Sequence, residues 1–253
     1  MDKLGVHGKL PRHGDFVSRQ LPQSFVTGWD NWLQQALAVS QELLGTQWLD
    51  IYLTSPVWRF VLSSGVVDHQ VWAGVMIPSV DRVGRYYPLT LVQAFATDTL
   101  PTLLPAQHSD WFGELERAAL AGLQDGVTID ELEQWLAQIA TPGSLSGMQA
   151  ARWESGRPLV MFLQQPGQNP LSTLPALQHS FLLQRFPSYS LWWTEGSERV
   201  SPVSITTAYL PPPQSFTALL AGDWEQRGWA MPFPAIAPLA LGSPDIHHPV
   251  QNE

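Results

Sequence analysis

The chain contains no cysteine in its 253 residues. This excludes a disulfide framework, a thiolate nucleophile and a cysteine-ligated metal. It suits a reducing compartment. No run approaches the roughly 20 apolar residues of a spanning helix. Met1-Asp2-Lys3-Leu4-Gly5-Val6-His7 also lacks the apolar centre of a secretory signal. A soluble, cytoplasmic protein without membrane insertion is the expectation. Positive charge is scarce, with 13 Lys and Arg against 22 Asp and Glu and a net charge of −9. The imbalance is confined to residues 91–253, which hold six cations and fifteen acids; residues 1–90 hold seven of each. An acidic C-terminal half argues against nucleic acid and anionic membrane as partners and leaves room for a basic one. Lysine is almost missing, with Lys3 and Lys9 alone among the cations. Arg prevails where planar, bidentate pairing or stacking is wanted.

The common catalytic signatures are missing too. Gly143-Ser144-Leu145-Ser146-Gly147 carries Leu where a nucleophile turn needs Ser. Gly5-Val6-His7-Gly8-Lys9 is too short to wrap phosphates. There is no Gly-x-Gly-x-x-Gly and no His-Glu-x-x-His. No catalytic residue, cofactor or metal is expected. His7, His13 and Asp15 have ligand chemistry that suits zinc, but their spacing follows no metal pattern. The simpler reading is a strand histidine and a loop aspartate that caps backbone groups.

What the chain does have is apolar and aromatic mass: 44% hydrophobic residues and 12 Trp. A chain of this length buries roughly 70–75% of its unfolded surface, so a core forms without staples. Leu4–Leu10 reads as a first strand, followed by a Pro11–Phe16 loop. A helix begins near Ser24, a plausible N-cap, with Phe25, Trp29, Trp32, Leu33, Ala36 and Leu37 on one face. Gly45 is its stop. Val57–Leu62, Val71–Ile77 and Leu89–Phe95 read as strands, the last buried on both faces. Helices follow from Asp110 and from Thr128, where Thr128 and Glu131 have capping-box spacing. Trp111 and Trp135 are assigned to the core. Leu159–Leu163 reads as a strand, Leu174–Phe186 as a helix, Leu191–Thr194 and Ser204–Leu210 as a hairpin, and Ser215–Trp224 as a last helix. Trp192 and Trp193 are adjacent in a strand and point to opposite faces. Both are covered only if helices lie on both sides of the sheet.

The densest polar feature is Asp81-Arg82-Val83-Gly84-Arg85, bracketed by Pro78 and Pro88. Three readings apply. Asp81 locks the loop by pairing with an Arg, with Arg59 on a neighbouring strand able to join. The Arg residues form an anion site. Or the loop belongs to a protein interface, where Arg and aromatics are favoured.

Four segments carry a family resemblance. Gly8–Phe16 (GKLPRHGDF), Trp29–Leu33 (WDNWL), Pro56–Phe60 (PVWRF) and Pro78–Leu89 (PSVDRVGRYYPL) resemble the TagF, or ImpM, family of type VI secretion-associated proteins. Leu191–Thr194, Leu210-Pro211 and Phe216–Trp229 are similar to its C-terminal part. The resemblance implies an α/β fold: a three-layer α/β/α sandwich around a mixed, largely antiparallel sheet. One domain over residues 1–230 is expected, with a weak subdivision near 141–156 and a Pro-rich, poorly ordered tail over 231–253. The resemblance further implies a cytoplasmic, non-enzymatic accessory that represses secretion after translation by engaging the forkhead-associated scaffold protein Fha. Any link to a PP2C-type phosphatase would act in trans. Composition nominates Arg59, Asp81, Arg82, Arg85, Arg12, His13 and Asp15 as protein-binding or loop-locking residues. The alternatives are a phosphate-ligand sensor or small hydrolase using His13, Asp15 and the Arg loop, and a structural subunit of the secretion baseplate.

Overall fold

Two strands, β4 (Val71–Ile77) and β5 (Leu89–Phe95), are buried at every position. They pair antiparallel from Val71↔Phe95 to Ile77↔Leu89. In this computed structural model, which describes residues 3–143, 160, 161, 163 and 166–231, they form the centre of one sheet. β3 (Trp58–Leu62) flanks β4, followed outward by β6 (Tyr189–Thr194) and β7 (Val203–Ala208). On the other side β5 meets β1 (Gly5–Gly8), and β2 (Val17–Arg19) forms the far edge. The seven-stranded order is β2-β1-β5-β4-β3-β6-β7. The late strand β6 pairs with the early strand β3, so both halves of the sequence share this sheet.

The sandwich expected from the sequence is present, but its sheet is not mixed. All six pairings among the described residues are antiparallel. Fully apolar strands usually signal parallel pairing because crossover helices cover both faces. Here helices cover both faces of an antiparallel sheet, with the same effect on composition.

One face holds α1 (Gln23–Leu44), α2 (Trp48–Leu53) and α7 (Pro213–Ala221). Trp29 stacks on Phe60 at 4.8 Å and on Trp192 at 6.0 Å. The indole tips are satisfied as burial requires: Trp29 donates to Thr90 Oγ1, Trp32 to the Pro211 carbonyl and Trp58 to the Leu219 carbonyl, at 2.8–3.1 Å. The opposite face holds α4 (Ser109–Gly122) and α5 (Ile129–Leu136). There Trp193 meets Phe112 edge-on at 4.7 Å. Trp192 and Trp193 therefore serve the two core layers, one each. Two further helices, α3 (Leu103–Gln107) and α6 (Leu174–Arg185), pack against each other at the end of the α4 layer.

Several local expectations change. Ser24 is not an N-cap: α1 starts after Pro22 with no side-chain cap, and Ser24 hydrogen-bonds Asp68 instead. Gly45 does end α1, with φ +54. Trp135 is 37% exposed, and the buried stripe of α5 is Ile129, Leu132 and Leu136. The capping box of Thr128 and Glu131 is formed in both directions. Strand β2 and the short helices α2 and α3 lie where the sequence shows no periodicity long enough to read. Of the strand expected at Leu159–Leu163, Leu159 and Phe162 lie outside the described residues, and Val160, Met161 and Leu163 are in no strand. Most of the 141–156 boundary and all but Met231 of the 231–253 tail also lie outside them. No helix among the described residues is long and apolar enough to cross a membrane.

Candidate functional site

The β1–β2 and β4–β5 loops converge at one end of the sheet. Backbone geometry brings them there. Gly8 has φ +133, and a Cβ at that position would lie 2.0 Å from the Pro88 carbonyl oxygen. Only glycine permits this approach. It delivers Lys9 to the base of the β4–β5 loop.

Asp81 organises that loop. Its side chain is fully buried. Oδ1 accepts from the backbone N–H of Val83 at 3.0 Å and of Arg85 at 2.9 Å. Oδ2 accepts from Lys9 Nζ at 2.8 Å and Arg85 Nε at 2.7 Å. The bond to the N–H two residues on is the local turn an aspartate favours, and Gly84, at φ +85, donates its N–H back to the Asp81 carbonyl at 3.0 Å. Burial alone pushes the Asp81 carboxyl up. The four donors outweigh it, with Lys9 foremost, and hold the carboxyl well below the usual carboxylate range.

A second layer of bonds ties the loop down. Ser79 Oγ donates to the Lys9 carbonyl at 2.7 Å. Tyr52 Oη donates to the Ser79 carbonyl at 2.9 Å and accepts the Ser79 N–H at 3.0 Å. Burial pushes the Tyr52 phenol well above its ordinary value. Val80 and Tyr86 form an isolated bridge across the loop.

The β1–β2 loop is stapled to the same unit. The Arg82 N–H donates to the His13 carbonyl at 3.0 Å, and Arg85 Nη2 donates to the Gly14 carbonyl. Arg12 Nη1 donates to the Gly126 carbonyl at 2.9 Å. His13 Nε2 accepts the Ile129 N–H at 3.1 Å, so it caps the first turn of α5. Phe16 packs edge-on to Tyr87 at 4.7 Å, with Lys9 Nζ 5.0 Å from its ring. His7 lies beneath, stacked on Phe16 at 6.0 Å and with Nε2 3.9 Å from Asp30 Oδ1. Burial lowers its pKa, against a pull upward from Asp30.

The structure thus brings Arg12, His13, Asp15, Asp81, Arg82 and Arg85 into one cluster. Arg59 does not join it. Its guanidinium pairs instead with Glu116 of α4 at 2.6 Å and Glu195 at 2.7 Å. His7, His13 and Asp15 are engaged separately, and Asp15 is fully exposed. Among the described residues no group of three or more His, Asp or Glu is placed to hold a metal. The residue that sequence reasoning missed is Lys9. Its signal was a lone lysine between apolar neighbours in Gly8-Lys9-Leu10-Pro11, since a buried ammonium requires a carboxylate.

Fold and site together define an antiparallel α/β/α domain with two stapled loops at one end of the sheet. A family model described as the TagF N-terminal domain, type VI secretion system-associated, matches residues 5–139, which include every residue of the cluster. The crystal structure of PA0076 from Pseudomonas aeruginosa PAO1 superposes with a TM-score of 0.74 at 36% identity, covering 93% of this chain and 100% of that one. No curated protein matches significantly. The chain belongs to the TagF family of type VI secretion system-associated proteins.

Proposed function

We propose that this chain is a non-enzymatic regulator of a type VI secretion system, and that it represses secretion by binding the Fha-type scaffold. Family membership supplies the system. One observation supports binding over chemistry: the cluster's buried carboxylate and its imidazole are consumed in holding its shape. Asp81 is saturated by four donors and His13 is occupied by the Ile129 N–H. That counts against a hydrolase in which His13 and the loop carboxylate move protons. What remains outward is arginine and apolar surface, the composition of a protein-binding face.

Purified full-length chain is immobilised and challenged with the scaffold from the same cells, while secretion is followed as the chain is overproduced. Retention of the scaffold together with reduced secretion is expected. An active chain that retains no scaffold, or secretion that is unchanged when the chain is in excess, overturns the reading. A phosphatase partner in trans would appear as a dependence of capture on phosphatase pretreatment.

A further inference from the structure

We infer that the face carrying Phe16, Arg82 and Val83, flanked by Arg12 and Arg85, docks an acidic protein segment that presents an apolar side chain. The inference rests on the binding role proposed above and assigns it a surface and a partner chemistry.

The two exposed apolar side chains come from different loops. Phe16 is 49% exposed and Val83 63%. The loops are joined by the Arg82 N–H to the His13 carbonyl and by the Arg85 guanidinium to the Gly14 carbonyl, so both side chains are carried by one stapled unit. The inner side of Phe16 is fixed against Tyr87 and Lys9, which leaves its outer side presented at small entropic cost.

Charge selects the partner. Arg82 is exposed and makes no ion pair among the described residues; its guanidinium lies beside Gly14, where an added Cβ would be 3.3 Å from it. It is the uncommitted planar donor of the face, suited to a carboxylate. Arg12 spends one N–H on Gly126 and Arg85 is shared with Asp81. The exposed acids beside them are Asp15 and Glu131, the latter close enough to Arg12 to feel its charge. Three exposed arginines against two exposed carboxylates leave a local cation excess on a chain of net charge −9. Anionic segments are steered to this face and repelled from the rest. The same net charge disfavours an anionic membrane as the occupant.

The test uses the full chain and two variants, Arg82→Glu and Val83→Asp, at positions that leave the Lys9–Asp81 lock untouched. Far-UV circular dichroism and Tm establish that both fold as the parent does. Binding is measured to the scaffold, to a labelled twelve-residue Glu-rich peptide with one central Leu, to the same peptide with Gln for Glu, and to phosphatidylserine vesicles. The expected result is that the Glu peptide binds and the Gln peptide does not. Each variant should weaken both peptide and scaffold at least tenfold, with affinity falling as salt rises. If the parent binds scaffold and both variants bind it equally well, the binding role stands and this face is not its seat. If the parent binds neither scaffold nor peptide, both readings fail. Binding to vesicles in place of peptide overturns the inference. So does self-association that Arg82→Glu abolishes, which would make the occupant a second copy.

Discussion

Lys9 Nζ lies 2.8 Å from Asp81 Oδ2, and the two side chains are 4% and 0% exposed. They sit 72 residues apart in sequence. A buried ion pair is costly to break from either side, because the partner left behind is an uncompensated charge. The two sides are unequal here. Without Lys9, Asp81 keeps three donors; without Asp81, the Lys9 ammonium has no hydrogen-bond acceptor left and only the Phe16 ring beside it. Asp81→Ala should therefore destabilise by about 3–5 kcal/mol, and Lys9→Met by clearly less. Urea denaturation of the two single variants checks the order. Equal losses would show that the Lys9–Asp81 pair itself sets the cost and that the three loop donors do not compensate Asp81.

Acid should weaken the fold in two stages. His7 has its pKa lowered by burial, so its contribution is present above the ordinary imidazole value of 6.5 and declines as pH falls through it. Asp81 has its pKa lowered by its four donors, so its contribution is present above the ordinary carboxylate value and is lost at more acidic pH. Tm measured from pH 8 to about pH 2 should fall in both ranges. His7→Phe should flatten the first fall and leave the second. A profile identical to the parent's would show that the other histidines with lowered pKa, half-buried His108 and buried His179, carry the first stage.

The two adjacent tryptophans of β6 should differ in cost. Trp192 is fully buried among Trp29, Trp32 and Phe60, whereas Trp193 is half-buried against Phe112. Trp192→Ala should cost about 3–5 kcal/mol and Trp193→Ala less. Denaturation midpoints measure the difference, and near-UV circular dichroism should lose more signal in Trp192→Ala.

Thr128→Ala removes one half of the α5 capping box. A loss of about 1 kcal/mol is expected. The effect should be local, because the Ile129 N–H keeps its bond to His13. Amide exchange should quicken at Glu131, whose N–H loses Thr128 Oγ1, and not at Ile129. Uniform quickening through α5 would show that the box holds the whole helix.

Gly8→Ala should be among the most damaging single-methyl additions. The new Cβ meets backbone, the Pro88 carbonyl oxygen at 2.0 Å, which cannot swing aside as a side chain can. The strand must move or the φ of +133 must change, and either displaces Lys9 from Asp81. Poor soluble yield, or a Tm well below that of Lys9→Met, is the expected outcome.

Where one residue type repeats with a clear period, the sequence alone was sufficient. It determined β4 and β5 to the residue, the apolar face of α1, the capping box at Thr128 and the need to cover both Trp192 and Trp193. It also carried the motifs of the family, because these are contiguous. Short elements such as α2, α3 and β2 escaped, since three to six residues give no period to detect. Tertiary structure alone decided which charges meet. The sequence offered Asp81 several arginines and no distances. Folding gave it Arg85 and the unnoticed Lys9, and sent Arg59 to Glu116 of α4. Ion pairing depends on separations of a few ångströms between strands distant in sequence. Those separations are fixed only when the sheet order places β1 beside β5.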